Sequence, residues 1–414
     1  MRYYLTVLTL CAVFIGYAQP YSLDQLEASF LQRNYLVIAE KFEISKAEAE
    51  IVQEKVWENP TLAISEVNLW TNPGGERMTP MFGSWGETQQ ISVGLEQLIE
   101  TAGKRKKRVA IKRLEHRMAV YEFEELVREL KKELRQTFYQ LSSVKYNRSQ
   151  LMHIVQLFEQ MKNQYDRQAS QQNITKADYF RVNNELASLR KDLIDLEADM
   201  ETNLSKLRML TRLSDLELDQ LQVNQRFTSR TILLPADIKT LLAEQNIAIQ
   251  KQAVSIKKAE GELTLERANR KPDMTVGMEY DRGGNIMQDF IGLNLSIDLP
   301  IFNRNKGNIQ KARYQLDQEK VIYEGLQSEL EEEVNQYKKQ LLGYENMLNG
   351  WENAEPQEKM MENYHKHLLE KQVTLMEFID YVQSHREAQE SYVAIWEDYN
   401  LTFEELQYLL GKDF

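Results

Sequence analysis

The chain repeats itself at an offset near 200 residues, and each copy is built around one very long, regularly spaced apolar run. From Tyr323, the positions Leu326, Leu330, Val334, Tyr337, Leu341, Tyr344, Leu348 and Trp351 follow in steps of three and four, eight steps over 28 residues. A mean step of 3.5 is the period of a coiled-coil seam, not the 3.6 of an isolated helix. Two hundred residues earlier stand Phe123, Leu126, Leu130, Leu134, Thr137, Leu141, Val144, Arg148 and Leu151, apolar at seven of nine positions. Asn173-Ile174-Thr175 aligns with Gln372-Val373-Thr374 at an offset of 199, and Asn59-Pro60-Thr61-Leu62 with Lys271-Pro272-Asp273-Met274 at 212. The larger offset puts extra residues into the first copy's intervening loop. A duplication of this kind outranks every local signal in deciding the architecture.

Each copy reads alike. A helix (Leu23 to Trp57; Ala236 to Asn269) ends ahead of a proline, where helices commonly stop. Two short strands follow. Next comes a very long helix, Lys104 to Arg167 and its counterpart Lys306 to Leu369, with Pro356 the one internal proline. A return helix closes each copy, Lys176 to Leu210 and Leu375 to Leu410. Some 64 helical residues reach about 96 Å, wider than any globular core, so such a helix is a rod or the wall of a tube. Composition agrees, because 17 Gly and 8 Pro in 414 residues are about half the usual share of turn formers. The expected fold class is mainly α with a small β part. The expected segments are a signal peptide at 1–18, a first repeat at 19–213, a linker at 214–235 and a second repeat at 236–414.

The strands decide between rod and tube. They are expected at about 60–70, 88–99, 273–281 and 290–299. Ile291, Leu293, Leu295 and Ile297 alternate with Gly292, Asn294, Ser296 and Asp298; Met274, Val276, Met278 and Tyr280 alternate with Thr275, Gly277 and Glu279. Ile91, Val93 and Leu95 alternate with Ser92, Gly94 and Glu96, whereas Leu62 and Ile64 begin a weaker strand that Glu66 interrupts. Apolar-out, polar-in alternation marks outer-membrane barrel strands, although a soluble hairpin with one buried face shares it. Four strands cannot close a barrel, barrels of this class have at least eight, and open edges are not tolerated in lipid. Two copies would supply eight strands and three would supply twelve, the larger barrel leaving an open lumen. Trp70, Trp85, Tyr280 and Phe290 suit an aromatic girdle.

Arg2, the apolar stretch from Tyr3 to Ile15 and Gly16-Tyr17-Ala18 describe a secretory signal peptide cleaved after Ala18. About 14 apolar residues are too few to span a bilayer. Leu10 sits where a lipoprotein needs a small residue before Cys11, the only cysteine. Without a disulfide, an exported chain takes its stability from helix packing or assembly. Charged residues at 28% and a mean hydropathy of −0.55 exclude a bundle of membrane-spanning helices. A net charge of −12 argues against nucleic acid, whose binders carry a basic field. The export signal opposes that reading of Lys104-Arg105-Lys106-Lys107-Arg108 as well; the run meets lipid head groups or is a solvated helix start. No catalytic, cofactor or metal site is legible: His365 and His367 point to different helix faces, and methionines are more often packing than ligands.

The layout resembles the TolC-like outer-membrane efflux protein family. The resemblance rests on Asn59-Pro60-Thr61-Leu62 ending a helix, on the junction Gly103-Lys104-Arg105, and on Leu299-Pro300-Ile301-Phe302-Asn303-Arg304-Asn305-Lys306-Gly307. It implies a homotrimer, with a twelve-stranded barrel in the outer membrane and a long periplasmic α-helical barrel. An equatorial region would be built from about 214–235 and the C-terminal tail. It further implies a passive duct, working with a periplasmic adaptor (membrane fusion) protein and an inner-membrane pump of the resistance-nodulation-division type. The short chain and the Asn303-Arg304-Asn305 junction look most like the heavy-metal and small-molecule branch. In the family, two acids three residues apart just past the second hairpin tip form the constriction, and Glu377 and Asp380 match them; Asp178 holds the comparable place in the first half. The tips Gln172, Asn173, Ile174, Thr175 and Lys371, Gln372, Val373, Thr374 match the adaptor contacts. A glycine usually begins these turns, so Gln172 and Lys371 imply another backbone conformation there. The competing reading is a secreted coiled-coil scaffold with no pore.

Overall fold

A computed structural model describes residues 20–70, 77–171, 174–223, 227–234, 237–283, 287–351 and 357–414. The signal-peptide expectation at 1–18 lies outside them. Helices α1 (Leu23–Arg33) and α2 (Tyr35–Lys55) precede strands β1 (Thr61–Ser65) and β2 (Ser92–Ile99), then α3 (Lys104–Ser170) and α4 (Lys176–Thr211). The second copy repeats this order: α5 (Ile238–Gln245), α6 (Ile247–Asn269), β3 (Met274–Gly283), β4 (Gln288–Ile297), α7 (Lys306–Trp351), α8 (Gln357–Leu369) and α9 (Leu375–Leu410). Pro356 falls in 352–356, outside the described residues.

The opening helix of each copy is broken where a single helix was expected. Asn34 turns the chain with ψ at 123°, and its side-chain oxygen accepts from the backbone N–H groups of Leu36 and Val37 at 2.9 and 3.3 Å. Asn246 does the same for α6, accepting from the N–H of Ile249 at 2.9 Å. Asparagine competes with the helix for its own backbone, so it caps a new helix where it ends an old one. The two residues share the 212 offset of the proline motifs, a signal that periodicity alone passes over.

The long apolar stripe is where the spacing put it. Leu330, Val334, Leu341 and Leu348 are buried, and Tyr323, Leu326, Tyr337, Tyr344 and Trp351 are half-buried. Thr137, one of the two exceptions in the first copy, is fully buried and donates its hydroxyl to the Glu133 carbonyl at 2.7 Å.

Two compact units emerge, each taking segments from both repeats. One holds the described residues of 1–38, 127–236 and 333–414; the other holds those of 39–126 and 237–332. In the first, the ends of α3, α4, α8 and α9 share a core of Leu151, Phe158, Met161, Leu186, Phe378 and Val382, among others. The same unit buries a charged cluster, in which Arg135 reaches Glu27 at 2.5 Å, Glu404 at 3.0 Å and Asp413 at 3.2 Å. The expected linker docks here too: Lys145 Nζ donates to the Leu221 carbonyl at 3.0 Å, and the Arg230 N–H donates to the Tyr399 hydroxyl at 2.7 Å.

The second unit carries a four-stranded antiparallel sheet in the order β1-β2-β3-β4. The strands are displaced from expectation by a few residues. β1 stops at Ser65 because Glu66 takes a left-handed φ of 54°, which turns the chain out of the sheet. Ile99, Met274 and Ile297 lie in register at one end, and every connection to a helix leaves from that end. Among the described residues no helix is long and apolar enough to cross a membrane.

Candidate functional site

Period-two alternation in this register collects Leu62, Ile64, Leu95, Val276, Met278, Ile291, Leu293 and Leu295 on one face of the sheet. All are exposed, Leu293 at 85%. The opposite face is polar and tied across strands. Ser92 donates to Glu279 at 2.7 Å, Asn294 to Glu96 at 3.1 Å, and Gln90 to both Asp281 and Glu66. A Cβ at Gly277 would overlap the Asn294 carboxamide, which would have to swing aside. Phe290 falls on this polar face, against Gly292, and not on the girdle side as expected. Gln90, which joins β1's exit to β3, lies ahead of the observed β2 but inside the strand expected at 88–99; alternation puts it on the polar face and says nothing of its partners. Outer edges of β1 and β4 have no strand partner among the described residues.

At the tips, Gln172 and Asn173 lie outside the described residues. Ile174 is half-buried, and Thr175 caps α4, its hydroxyl accepting from the Asp178 N–H at 3.2 Å and donating to the Asp178 carboxylate at 2.7 Å. Arg181 stands 3.6 Å from the same carboxylate. Thr374 caps α9 at the repeat offset, with one bond more. Its N–H and hydroxyl donate to Glu377 Oε2 at 2.7 and 2.8 Å, closing a capping box with the Glu377 N–H. Those two donors hold the Glu377 carboxyl below its ordinary range. Glu377 and Asp380 are exposed on one helix face; Asp380 has no ion pair among the described residues.

Lys371 corrects the expectation for this turn. It adopts φ 57°, the left-handed conformation a glycine would favour. The Gln372 N–H donates to the His367 carbonyl at 2.8 Å and the Lys371 N–H to the Leu368 carbonyl at 3.1 Å, the bond pair of a Schellman helix ending. Satisfying those end carbonyls outweighs the strain of a side chain at positive φ. Lys371, Val373 and Thr374 of one tip and Ile174 and Asp178 of the other line a single cavity of about 530 Å³, which His365 enters from α8. Burial pushes the His365 imidazole down. Glu377, Asp380 and Gln372 are not among its lining residues. Among the described residues, no group of three or more His, Cys, Asp or Glu is placed to hold a metal ion.

The sheet thus carries one exposed apolar face and one polar face, and the chain enters and leaves it through helices at one end. The family described as outer membrane efflux protein matches residues 28–211, nearly the whole first repeat. No curated protein matches the sequence. Among solved structures, CusC is 16% identical with a TM-score of 0.76, covering 94% of this chain and 92% of its own. The CmeC outer membrane channel of Campylobacter jejuni is 14% identical with a TM-score of 0.75, covering 94% of this chain and 85% of its own. The open-state MtrE outer membrane channel of Neisseria gonorrhoeae is 16% identical with a TM-score of 0.71, covering 99% of this chain and 94% of its own. At such identities these likenesses are of fold. The first repeat thus matches the outer membrane efflux protein family, and the whole chain shares the fold of these outer-membrane channels.

Proposed function

We propose that three copies of this chain form a passive exit duct across the outer membrane, fed by an inner-membrane pump through a periplasmic adaptor. The observation that carries this reading is the four-stranded sheet with two unpaired edges and an apolar face turned to the surroundings. Unpaired edges in lipid cost several kcal/mol per group, by order of magnitude, so the strands must continue into other copies. Three copies give twelve strands and a lumen lined by the face of Glu96, Glu279 and Asp281. The adaptor would meet the tips at 172–175 and 371–374, and Glu377, Asp380 and Asp178 would line the constriction. Threonine caps at corresponding positions, each bonded to the acid three residues on, support comparable roles for Asp178 and Glu377. The pump, of the resistance-nodulation-division type in this reading, selects the cargo. A secreted scaffold has no use for an apolar sheet face of this extent.

Cell fractionation followed by native mass spectrometry in mild detergent tests the proposal. The expected result is an outer-membrane trimer that needs detergent. A water-soluble monomer would overturn it.

A further inference from the structure

The basic run at the start of α3 divides its charges unequally. Lys104 is buried against Asp273 at 2.7 Å, Lys107 donates to the Ala102 carbonyl at 2.5 Å, and Arg108 is bound to Glu54 at 2.5 Å and doubly to Glu100 at 2.6 and 2.8 Å. Arg105 and Lys106 are left over. Together with Lys55, Trp57, Glu100 and Arg113 they line a cavity of about 310 Å³ where β2 gives way to α3. Among the described residues, none of Lys55, Arg105, Lys106 or Arg113 has a carboxylate within ion-pair distance. The one lining acid, Glu100, is already taken by Arg108. The Arg105 guanidinium lies 3.7 Å over the Trp57 ring, and its Nη1 is shut from solvent with no hydrogen-bond partner. A desolvated guanidinium donor without an acceptor is an incomplete site, and its planar fork matches phosphate oxygens.

The location names the source of the phosphate. This cavity sits at the helical end of the sheet, where exposed apolar side chains continue past the strands. Trp57 is exposed there, as are Leu299, Ile301 and Phe302 just past β4, Phe302 at 99%. Tryptophan at such a boundary is the usual interfacial anchor, and basic pockets at that depth hold lipid head groups. We propose that this cavity binds the phosphate of an anionic phospholipid, with its acyl chains running along the apolar sheet face. The inference rests on the outer-membrane reading above.

The test uses the full-length oligomer in mild detergent, titrated with dioleoyl-phosphatidylglycerol, dioleoyl-phosphatidylcholine or inorganic phosphate and followed by native mass spectrometry. Several cations acting together predict a preference for phosphatidylglycerol over phosphatidylcholine of at least about tenfold. Arg105→Gln with Lys106→Gln and Arg113→Gln should abolish that preference. Because Arg105 also packs on Trp57, the exposed pair Lys106→Gln and Arg113→Gln serves as the second variant, with an expected loss of at least about fivefold. Equal retention of the two lipids by the wild type, or unchanged preference in both variants, would overturn the proposal. Displacement of phosphatidylglycerol by inorganic phosphate would also overturn it, marking a free-anion site. Fractionation of the same cells separates the two failures: a chain absent from the outer membrane sinks the membrane reading, whereas an outer-membrane chain without lipid preference sinks only this site.

Discussion

Replacing Arg135 with methionine keeps most of the stem volume and removes the charge that three carboxylates share. Of those three, Glu27 retains Lys131 at 3.1 Å, and Asp413 retains Lys131 at 2.7 Å. Glu404 fares worst. It is 3% exposed, and its remaining partners are Gln407, which donates at 2.7 Å, and Arg230 at 3.9 Å. Stranding a buried charge by deleting its partner costs roughly 3–5 kcal/mol, and the two weaker partners place this case near the lower end, about 3 kcal/mol. Guanidinium unfolding of the helical circular-dichroism signal, in detergent, reads the loss as a shift in midpoint at constant slope. Adding Glu404→Gln to the variant removes the stranded charge and should recover about 1–2 kcal/mol of it. Lys206→Met, at a solvated pair with Glu133, is the control and should cost at most about 1 kcal/mol. If Arg135→Met costs less than about 1 kcal/mol, or the double variant is no better than the single one, an unpaired buried charge is not what Arg135 prevents.

Burial raises the Glu404 carboxyl above its ordinary 4.5, Arg135 only partly offsetting it, so the folded chain takes up this proton before the unfolded chain does. Its contribution to stability is therefore present below 4.5 and lost as pH rises through the folded value; Glu404→Gln should flatten that part of a stability–pH curve, and an unchanged slope would contradict the assignment. Lys371→Gly relieves a left-handed side chain and should stabilise the second tip by about 0.5–1 kcal/mol, visible as slower amide exchange at Gln372; faster exchange would show the strain to be negligible. Replacing Glu377 with Gln and Asp380 with Asn should reduce cation preference in planar-bilayer recordings, with exposed Glu324→Gln on α7 as the unaffected control. Unchanged selectivity would move the constriction elsewhere and leave the duct intact.

The sequence by itself determined the duplication, the helical seam and the two faces of the sheet. Each is a matter of spacing, and spacing states which side of an element is apolar whatever it packs against. Leu330, Val334, Leu341 and Leu348 were legible for that reason, and so were Leu293 and Leu295. Only the tertiary structure decided how polar groups are satisfied, since a hydrogen bond depends on what lies opposite and not on what lies next in the chain. Asn34 breaks a helix that looked continuous because its amide can also reach the Leu210 carbonyl at 3.1 Å. Lys371 keeps a glycine's conformation because two helix-end carbonyls are satisfied by it. The five adjacent cations from Lys104 to Arg108 look interchangeable in one dimension. Folding assigns partners to Lys104, Lys107 and Arg108, and leaves Arg105 over an indole ring with one guanidinium nitrogen shut from solvent and unpaired.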